Sequence, residues 1–182
     1  PSVAEDLGVW KLLTGVSGLA DMAGDTDQQA IDAIKKFLSY LPGHHMEPPP
    51  EYPVPAGSDE TCKQIFDILP ESRTKVYDVR KIIAAIADRD SSFELKERFG
   101  KSIATVLARL DGKSVGFIAN NPLFKGGALD ADAVQKVISF MVLCDSYNIP
   151  LVFLVDVPGF LIGVEGEIRG MPGKVINWMN AL

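Results

Sequence analysis

Hydrophobic positions recur at helical spacing in some stretches of the chain and form continuous runs in others, and each change of period marks an element. An amphipathic helix is predicted within residues 1–41, capped by Asp25 or Thr26 and stopped by Pro42 and Gly43. Its predicted core-facing positions share one helical face: Ala30, Ile31, Ile34, Phe37, Leu38 and Leu41.

Residues 42–58, "PGHHMEPPPEYPVPAGS", are rich in proline and favour extended polyproline geometry. They predict a linker between a first unit, residues 1–41, and a second unit, residues 59–182. Helices in pieces are predicted over residues 59–100, where Asp78 would cap a helix that carries Val79, Ile82, Ile83 and Ile86.

Two β-rich runs flank Asp111 and Gly112, which predicts a hairpin with positive φ at both turn positions. The chain then reads strand, loop, helix and strand over residues 114–156. Asp130 or Asp132 would cap the helix, and Asn148 and Pro150 would end it. The last strand, "IPLVFLVDV", is apolar throughout, as expected if both its faces are buried. This βαβ unit predicts an α/β fold with parallel strands.

Parallel strands open their carboxyl ends on one edge of a sheet, where ligands bind in open α/β folds. The loops "NNPLFKGGALD" and "DVPGFLIGVEGE" leave that edge. We expect Gly126 and Gly127 to offer backbone N–H groups to an oxygen that gains negative charge. A tight connection that needs two positive φ angles is the structural alternative, and the second glycine-rich loop favours the functional interpretation. Asp156 could orient that second loop or simply cap the strand.

Composition and short motifs argue against several other classes of function. The net charge of −6 argues against a nucleic-acid partner, and no apolar run is long enough for a membrane span. Adjacent His44 and His45 in a proline-rich segment predict solvated side chains and no metal site. Cys62 and Cys144 are expected to be free buried thiols in a reducing compartment, with a disulfide left open. "DGKSVG" lacks the earlier glycine and the helix that a phosphate loop needs.

The stretch "GFIANNPLFKGGALDADAVQKVISFMVLCDSYNIPLVFLVDVPGFLIGVEGE" resembles the carboxyltransferase (β) subunits of biotin-dependent acyl-CoA carboxylases, of the propionyl-CoA and acetyl-CoA carboxylase type. "TGVSGLADMAGDTDQQAI" is similar to the end of that family's N-terminal half. The resemblance implies two crotonase-like domains, each a spiral of ββα units. Residues 1–41 would end the first domain, and residues 59–182 would begin the second, carboxyltransferase domain.

The resemblance also implies a reaction, in which a carboxyl group passes from carboxybiotin on a carrier protein to the α-carbon of a short acyl-CoA. Gly126, Gly127 and Ala128 match an oxyanion loop and would be catalytic. Lys125, Pro158, Gly159 and Phe160 match positions near the biotin and substrate pocket. Implied partners are a biotin carboxylase or biotin carboxyl carrier subunit, the acyl-CoA substrate, and further copies of the chain in a hexamer. The implied compartment is the cytoplasm, or the mitochondrial matrix in a eukaryote.

The abrupt chain ends lead us to expect a fragment of a longer protein, inactive alone because further donor loops would lie outside it. A biotin-linked decarboxylase of the methylmalonyl-CoA type remains open, as does a truncated, non-catalytic subunit. An enoyl-CoA hydratase or thioesterase fits less well with two domains joined by a linker. In a full-length enzyme, we expect Gly127→Val to remove activity while leaving folding largely intact.

Overall fold

The computed structural model describes residues 8–72 and 75–182. Residues 1–7, which belong to the predicted unit 1–41, and residues 73–74 lie outside the described residues. The helices are α1 (Trp10–Gly15), α2 (Asp27–Leu38), α3 (Ile65–Ile68), α4 (Val79–Ile86), α5 (Ala131–Ser146), α6 (Val164–Ile168) and α7 (Met171–Ala181). The strands are β1 (Phe93–Leu95), β2 (Ile103–Leu110), β3 (Lys113–Asn120) and β4 (Leu151–Leu154), and 3₁₀ turns span Thr61–Gln64 and Lys125–Gly127.

The strands form one sheet in the order β1-β2-β3-β4. The β2–β3 hairpin pairs Leu110 with Lys113, and its turn residues Asp111 and Gly112 have φ angles of 52° and 75°. The predicted hairpin is therefore confirmed. Helix α5 crosses over from β3 to β4, and these two strands are parallel. The predicted βαβ unit and the α/β class are confirmed as well.

Side-chain caps begin three helices where the sequence predicted them. The Thr26 side chain accepts a hydrogen bond from the Gln29 N–H, Asp78 from the Arg80 N–H, and Asp130 from the Ala133 N–H. Each cap satisfies an amide that the helix itself leaves unpaired. The Asp130 cap matters most for the site, because it fixes where the loop after β3 ends and α5 begins.

Apolar side chains pack on both faces of the sheet. On one face, buried residues of α5 meet β1, β2 and β3 together with Tyr40 and Met171. On the other face, Val79, Ile82 and Ile83 of α4 pack on Val106 and Phe117. Among the described residues, no helix is long and apolar enough to cross a membrane.

Helix α4 ends at Ile86, so the helical pieces predicted up to residue 100 are wrong in their second half. Phe93 and Leu95 are buried on either side of a half-buried Glu94, which is the alternation of a strand. This segment forms β1 and pairs antiparallel with β2. Pairing with a neighbouring strand, which local spacing does not reveal, decides its conformation.

Two predicted burial patterns are also wrong. The β4 residues are half-buried or exposed, because β4 is the edge strand of the described sheet and is not covered on both faces. In α2, Phe37 and Ala33 pack against the core, whereas Ile31, Ile34 and Leu38 are exposed. Helix α2 thus carries more apolar side chains than it buries against the core.

The proline-rich segment 42–58 lies against the hairpin turn. The Tyr52 N–H donates a hydrogen bond to the Gly112 carbonyl at 2.9 Å. The Arg109 guanidinium lies 4.0 Å from the Tyr52 ring centre and 4.4 Å from that of Tyr40. Arg109 therefore joins the end of the first predicted unit to the segment that follows it. Both cysteines are free, but Cys62 is exposed and only Cys144 is buried.

Candidate functional site

The loops that follow β3 and β4 meet at the edge of the sheet that the sequence predicted. The Leu129 N–H donates to the Gly159 carbonyl at 3.0 Å, and the Leu161 N–H donates to the Leu129 carbonyl at 2.8 Å. Leu129 and Phe160 thus form an isolated parallel bridge. This bridge extends the β3–β4 pairing beyond the ends of both strands and holds the two glycine-containing loops side by side.

The two adjacent glycines differ in their surroundings. Gly126 has φ and ψ angles of 61° and 23°, is exposed, and has nothing within 4 Å of the position of a β-carbon. Gly127 has a φ angle of 81° and is buried, and a β-carbon there would lie 2.8 Å from the Asp156 carbonyl oxygen. Gly127 allows the two loops to approach each other, whereas Gly126 leaves open space in front of the backbone.

The backbone N–H groups of this loop differ in whether they already have a hydrogen-bond acceptor. The Gly127 N–H donates to the Phe124 carbonyl at 2.9 Å, and the Ala128 N–H donates to the Lys125 carbonyl at 3.1 Å. The Gly126 N–H has no acceptor among residues 8–72 and 75–182. In this conformation Gly126 is therefore the donor of the predicted trio that has no hydrogen-bond acceptor among the described residues. The catalytic roles of Gly127 and Ala128 stay predictions that require their turns to open.

The Lys125 ammonium pairs with the Asp130 carboxylate at the start of α5. Burial raises the pKa of Asp130, but the Lys125 ammonium and the Ala133 N–H outweigh burial and hold that pKa below its usual range. Lys125 has a φ angle of 54°. Its side chain therefore closes the loop onto the helix terminus, and its charge is neutralised there.

In the second loop, Gly159 has a φ angle of 138° and open space where a β-carbon would stand. Pro158 is exposed. The Phe160 ring is 42% exposed and contacts the Trp178 ring edge-on, with 6.1 Å between the ring centres. The structure thus brings Pro158, Gly159 and Phe160 to the same rim as the Gly126 loop.

Sequence reasoning missed two residues that hold this rim together. The Tyr77 hydroxyl donates to Asp156 Oδ2 at 2.8 Å, and the Asn120 Nδ2 donates to the Gly127 carbonyl at 3.2 Å. Asp156 thus accepts a hydrogen bond from Tyr77, and its predicted role, to orient the second loop or to cap the strand, stays a prediction. Its partner Tyr77 precedes it by 79 positions, and no motif in the sequence connects the two.

Other acidic and histidine residues lie elsewhere. His44 Nε2 lies 3.1 Å from Glu47 Oε1 at an exposed position. Glu165 and Glu167 lie on α6, exposed to solvent. Over residues 8–72 and 75–182, no group of three or more His, Cys, Asp or Glu side chains is arranged to hold a metal ion.

The architecture defines a crotonase-like α/β protein. Transcarboxylase 12S, solved as a hexamer with hydrolysed methylmalonyl-coenzyme A bound, superposes with a TM-score of 0.92 at 37% identity, covering 99% of this chain and 36% of that one. The Carboxyl transferase domain family matches residues 1–177, and the chain belongs to that family.

Two relatives illustrate the family. The chain is 39% identical over 167 residues to the propionyl-CoA carboxylase carboxyltransferase subunit of Haloferax mediterranei, covering 92% of this chain and 32% of the relative. It is 37% identical over 168 residues to the methylmalonyl-CoA decarboxylase subunit alpha of Propionigenium modestum, with the same coverage of 92% and 32%. The chain thus spans about a third of the length of the curated relatives it matches.

Proposed function

We propose that this chain forms part of a carboxyltransferase that moves a carboxyl group from carboxybiotin to the α-carbon of a short acyl-CoA, propionyl-CoA or acetyl-CoA. One observation carries the proposal. The Leu129–Phe160 bridge joins two loops that both have open space in front of a glycine, at the carboxyl edge of parallel strands. Family membership supports the same class of reaction.

The chemistry requires oriented donors for two anions. Carboxybiotin supplies the carboxyl group when it is bound, and its release leaves negative charge on the ureido oxygen. The α-proton of the acyl-CoA would pass to the biotin nitrogen that has lost the carboxyl group, which would leave an enolate on the thioester oxygen. In our proposal the Gly126 N–H stabilises one such oxygen, and one donor of this kind contributes about 3 kcal/mol to the transition state in enzymes of known mechanism.

At both Gly126 and Gly159 nothing lies within 4 Å of the position of a β-carbon, which leaves room for a ligand to approach the backbone. The titratable side chains of the rim are otherwise engaged. Lys125 and Asp130 neutralise each other, and burial together with the Asp156 carboxylate raises the pKa of Tyr77 to about 12. This supports a reaction in which backbone amides carry the electrostatic stabilisation.

The proposed partners follow from the reaction. A biotin carrier subunit would deliver carboxybiotin, and the acyl-CoA thioester would be the acceptor. Copies of the chain would assemble as a homo-oligomer, which is supported by the hexamer of transcarboxylase 12S. In this proposal, the Phe160 ring and the other exposed apolar groups of the second loop face the biotin side of the site.

A decarboxylase is the second candidate, and the relative from Propionigenium modestum is the specific observation that favours it. Such an enzyme would transfer the carboxyl group from methylmalonyl-CoA to biotin, which is the proposed reaction in reverse. The same donors would serve both directions, because both pass through the same pair of anions.

The test is the reverse half-reaction on the native polypeptide that carries this sequence. Malonyl-CoA or methylmalonyl-CoA is incubated with free biotin, and formation of acetyl-CoA or propionyl-CoA together with carboxybiotin is followed by mass spectrometry. We expect product formation that depends on biotin. Hydration of crotonyl-CoA without any biotin-dependent turnover would instead identify a hydratase. Absence of both reactions in an oligomeric polypeptide would identify a non-catalytic subunit.

A further inference from the structure

We infer that Tyr77 is a positioning residue for the rim, acting through Asp156 on the diglycine loop. This inference rests on the proposed function for its kinetic consequences and on the contacts alone for its structural ones. Tyr77 lies immediately before α4, on the face of the sheet opposite α5. Its hydroxyl reaches the end of β4 and donates to Asp156 Oδ2 at 2.8 Å.

Tyr77 is held in place by the residues that follow it and by the packing of its own ring. The next residue, Asp78, caps α4 and holds the Arg80 guanidinium with both carboxylate oxygens, at 2.8 Å and 2.7 Å. Val79 is 3% exposed in the core beneath. The Tyr77 ring packs against the buried cluster of α4, β2 and β3 residues, as do Val152 and Leu154 of β4. The phenol is therefore fixed relative to the sheet before it meets Asp156.

Asp156 transmits this position to the diglycine loop. A β-carbon on Gly127 would lie 2.8 Å from the Asp156 carbonyl oxygen, closer than real β-carbons approach, so the Asp156 backbone leaves room only for glycine there. From the other side, the Asn120 amide donates to the Gly127 carbonyl at 3.2 Å. Gly127 is thus held between the end of β3 and the end of β4. Because Gly126 is bonded to Gly127, its backbone is fixed in place as well. This includes the Gly126 N–H, which in our proposal stabilises an anion.

Loss of the phenol hydroxyl should leave the ring packing intact but release Asp156 from one of its restraints. A small displacement of a donor from the developing charge costs far more in turnover than in substrate affinity. For Tyr77→Phe in the native polypeptide, we expect kcat for biotin carboxylation to fall about tenfold, with the KM for the acyl-CoA changed less than about twofold. Tyr147→Phe, whose hydroxyl has no partner among the described residues, should leave both constants unchanged.

Variants of the acceptor separate positioning from general damage. Asp156→Asn keeps an oxygen that can accept from Tyr77 and should retain more activity than Asp156→Ala. The double variant Tyr77→Phe/Asp156→Ala should be no slower than Asp156→Ala alone, because the two residues act in series. Additive losses in the double variant, or an unchanged kcat for Tyr77→Phe, would overturn the inference.

Hydrogen exchange distinguishes failure of this inference from failure of the proposed function. Amides in residues 125–129 and 156–161 should exchange faster in Tyr77→Phe than in the parent protein, while α5 amides keep their protection. If the parent shows no biotin-dependent turnover, the proposed function fails but this exchange result still supports the positioning contact. Unchanged exchange in both segments would refute the contact whatever the activity.

Discussion

The Asp156 carbonyl oxygen lies 2.8 Å from the place where a β-carbon on Gly127 would stand, whereas nothing lies within 4 Å of that place on Gly126. Two neighbouring glycines with similar positive φ angles are thus required for different reasons. One permits the loops after β3 and β4 to touch, and the other keeps the surface in front of the backbone open. Substitutions at the two positions should therefore have different consequences.

Gly127→Ala should destabilise the protein by on the order of 2–3 kcal/mol, because backbone strain adds to overlap with a carbonyl. Gly126→Ala should cost about 1 kcal/mol from backbone strain alone. Gly170→Ala is the matched control, with a φ angle of 68° and open space around it, and it should behave like Gly126→Ala. Urea unfolding measures all three. Equal losses at positions 126 and 127 would contradict the close contact. The larger Gly127→Val should destabilise the protein by more than Gly127→Ala, so the close approach of the Asp156 carbonyl argues against the expectation of largely intact folding.

The two thiols should differ sharply in reactivity. Cys62 is exposed, whereas Cys144 is 0% exposed, and burial raises the pKa of the Cys144 thiol to about 12. Since the thiolate is the reacting form, iodoacetamide at pH 8 should label Cys62 and leave Cys144 unmodified until urea unfolds the protein. Peptide mass spectrometry at timed intervals gives the two rates. Similar rates in the folded protein would show that α5 does not bury Cys144.

Lys136 should give the stability a distinctive pH dependence. Its ammonium is buried, donates to the Ile103 carbonyl at 2.8 Å and lies 3.8 Å from Glu94. Burial lowers its pKa to about 8, although Glu94 and Glu97 oppose the shift. Between pH 8 and its ordinary pKa near 10.4, the unfolded chain binds the proton and the folded protein does not, so the unfolding free energy rises with pH.

Lys136→Met removes this titration and also leaves the Ile103 carbonyl without its partner. The variant should be less stable at pH 7.5, and the deficit relative to the parent should widen by up to about 3 kcal/mol by pH 10. Urea unfolding of both proteins across this range measures the difference, which cancels the contribution of other titrating groups. A deficit that stays constant with pH would contradict the shifted pKa.

The hairpin turn should be sensitive at one of its two residues. A β-carbon on Gly112 would overlap the Tyr52 carbonyl oxygen, so Gly112→Ala must push the proline-rich segment away. We expect a loss of about 2–4 kcal/mol in unfolding free energy, whereas Asp111→Gly, which relieves a positive φ angle of 52°, should be close to neutral. Thermal unfolding of the two variants makes the comparison. Equal stability would mean that residues 42–58 do not dock on the turn.

The features that the sequence predicted correctly depend on neighbours within a few positions. Thr26, Asp78 and Asp130 cap helices through amides two or three residues away, and Asp111 and Gly112 satisfy a two-residue turn. These local rules also located the βαβ unit and hence the edge where the two loops meet. The sequence therefore predicted where the candidate site lies.

The features that local sequence patterns could not predict depend on contacts between residues that are far apart in sequence. Phe93 and Leu95 form a strand because β2 pairs with them, and Val155 is 73% exposed because β4 is at the edge of the described sheet. The Tyr77–Asp156 contact joins two residues that are 79 positions apart in the second predicted unit. The difference between Gly126 and Gly127 likewise arises from Asp156, which lies beyond the next helix in sequence.

The most direct test of the account compares Gly126→Ala with Gly170→Ala in the native polypeptide, in the biotin carboxylation driven by malonyl-CoA or methylmalonyl-CoA. Both substitutions introduce similar backbone strain at positions with room for a β-carbon, but only Gly126→Ala places that carbon on the residue with the free rim amide. We predict that kcat falls at least about a hundredfold for Gly126→Ala, as expected when one anion donor is blocked, and less than about twofold for Gly170→Ala. Parent-like turnover in Gly126→Ala would contradict the role assigned to that amide.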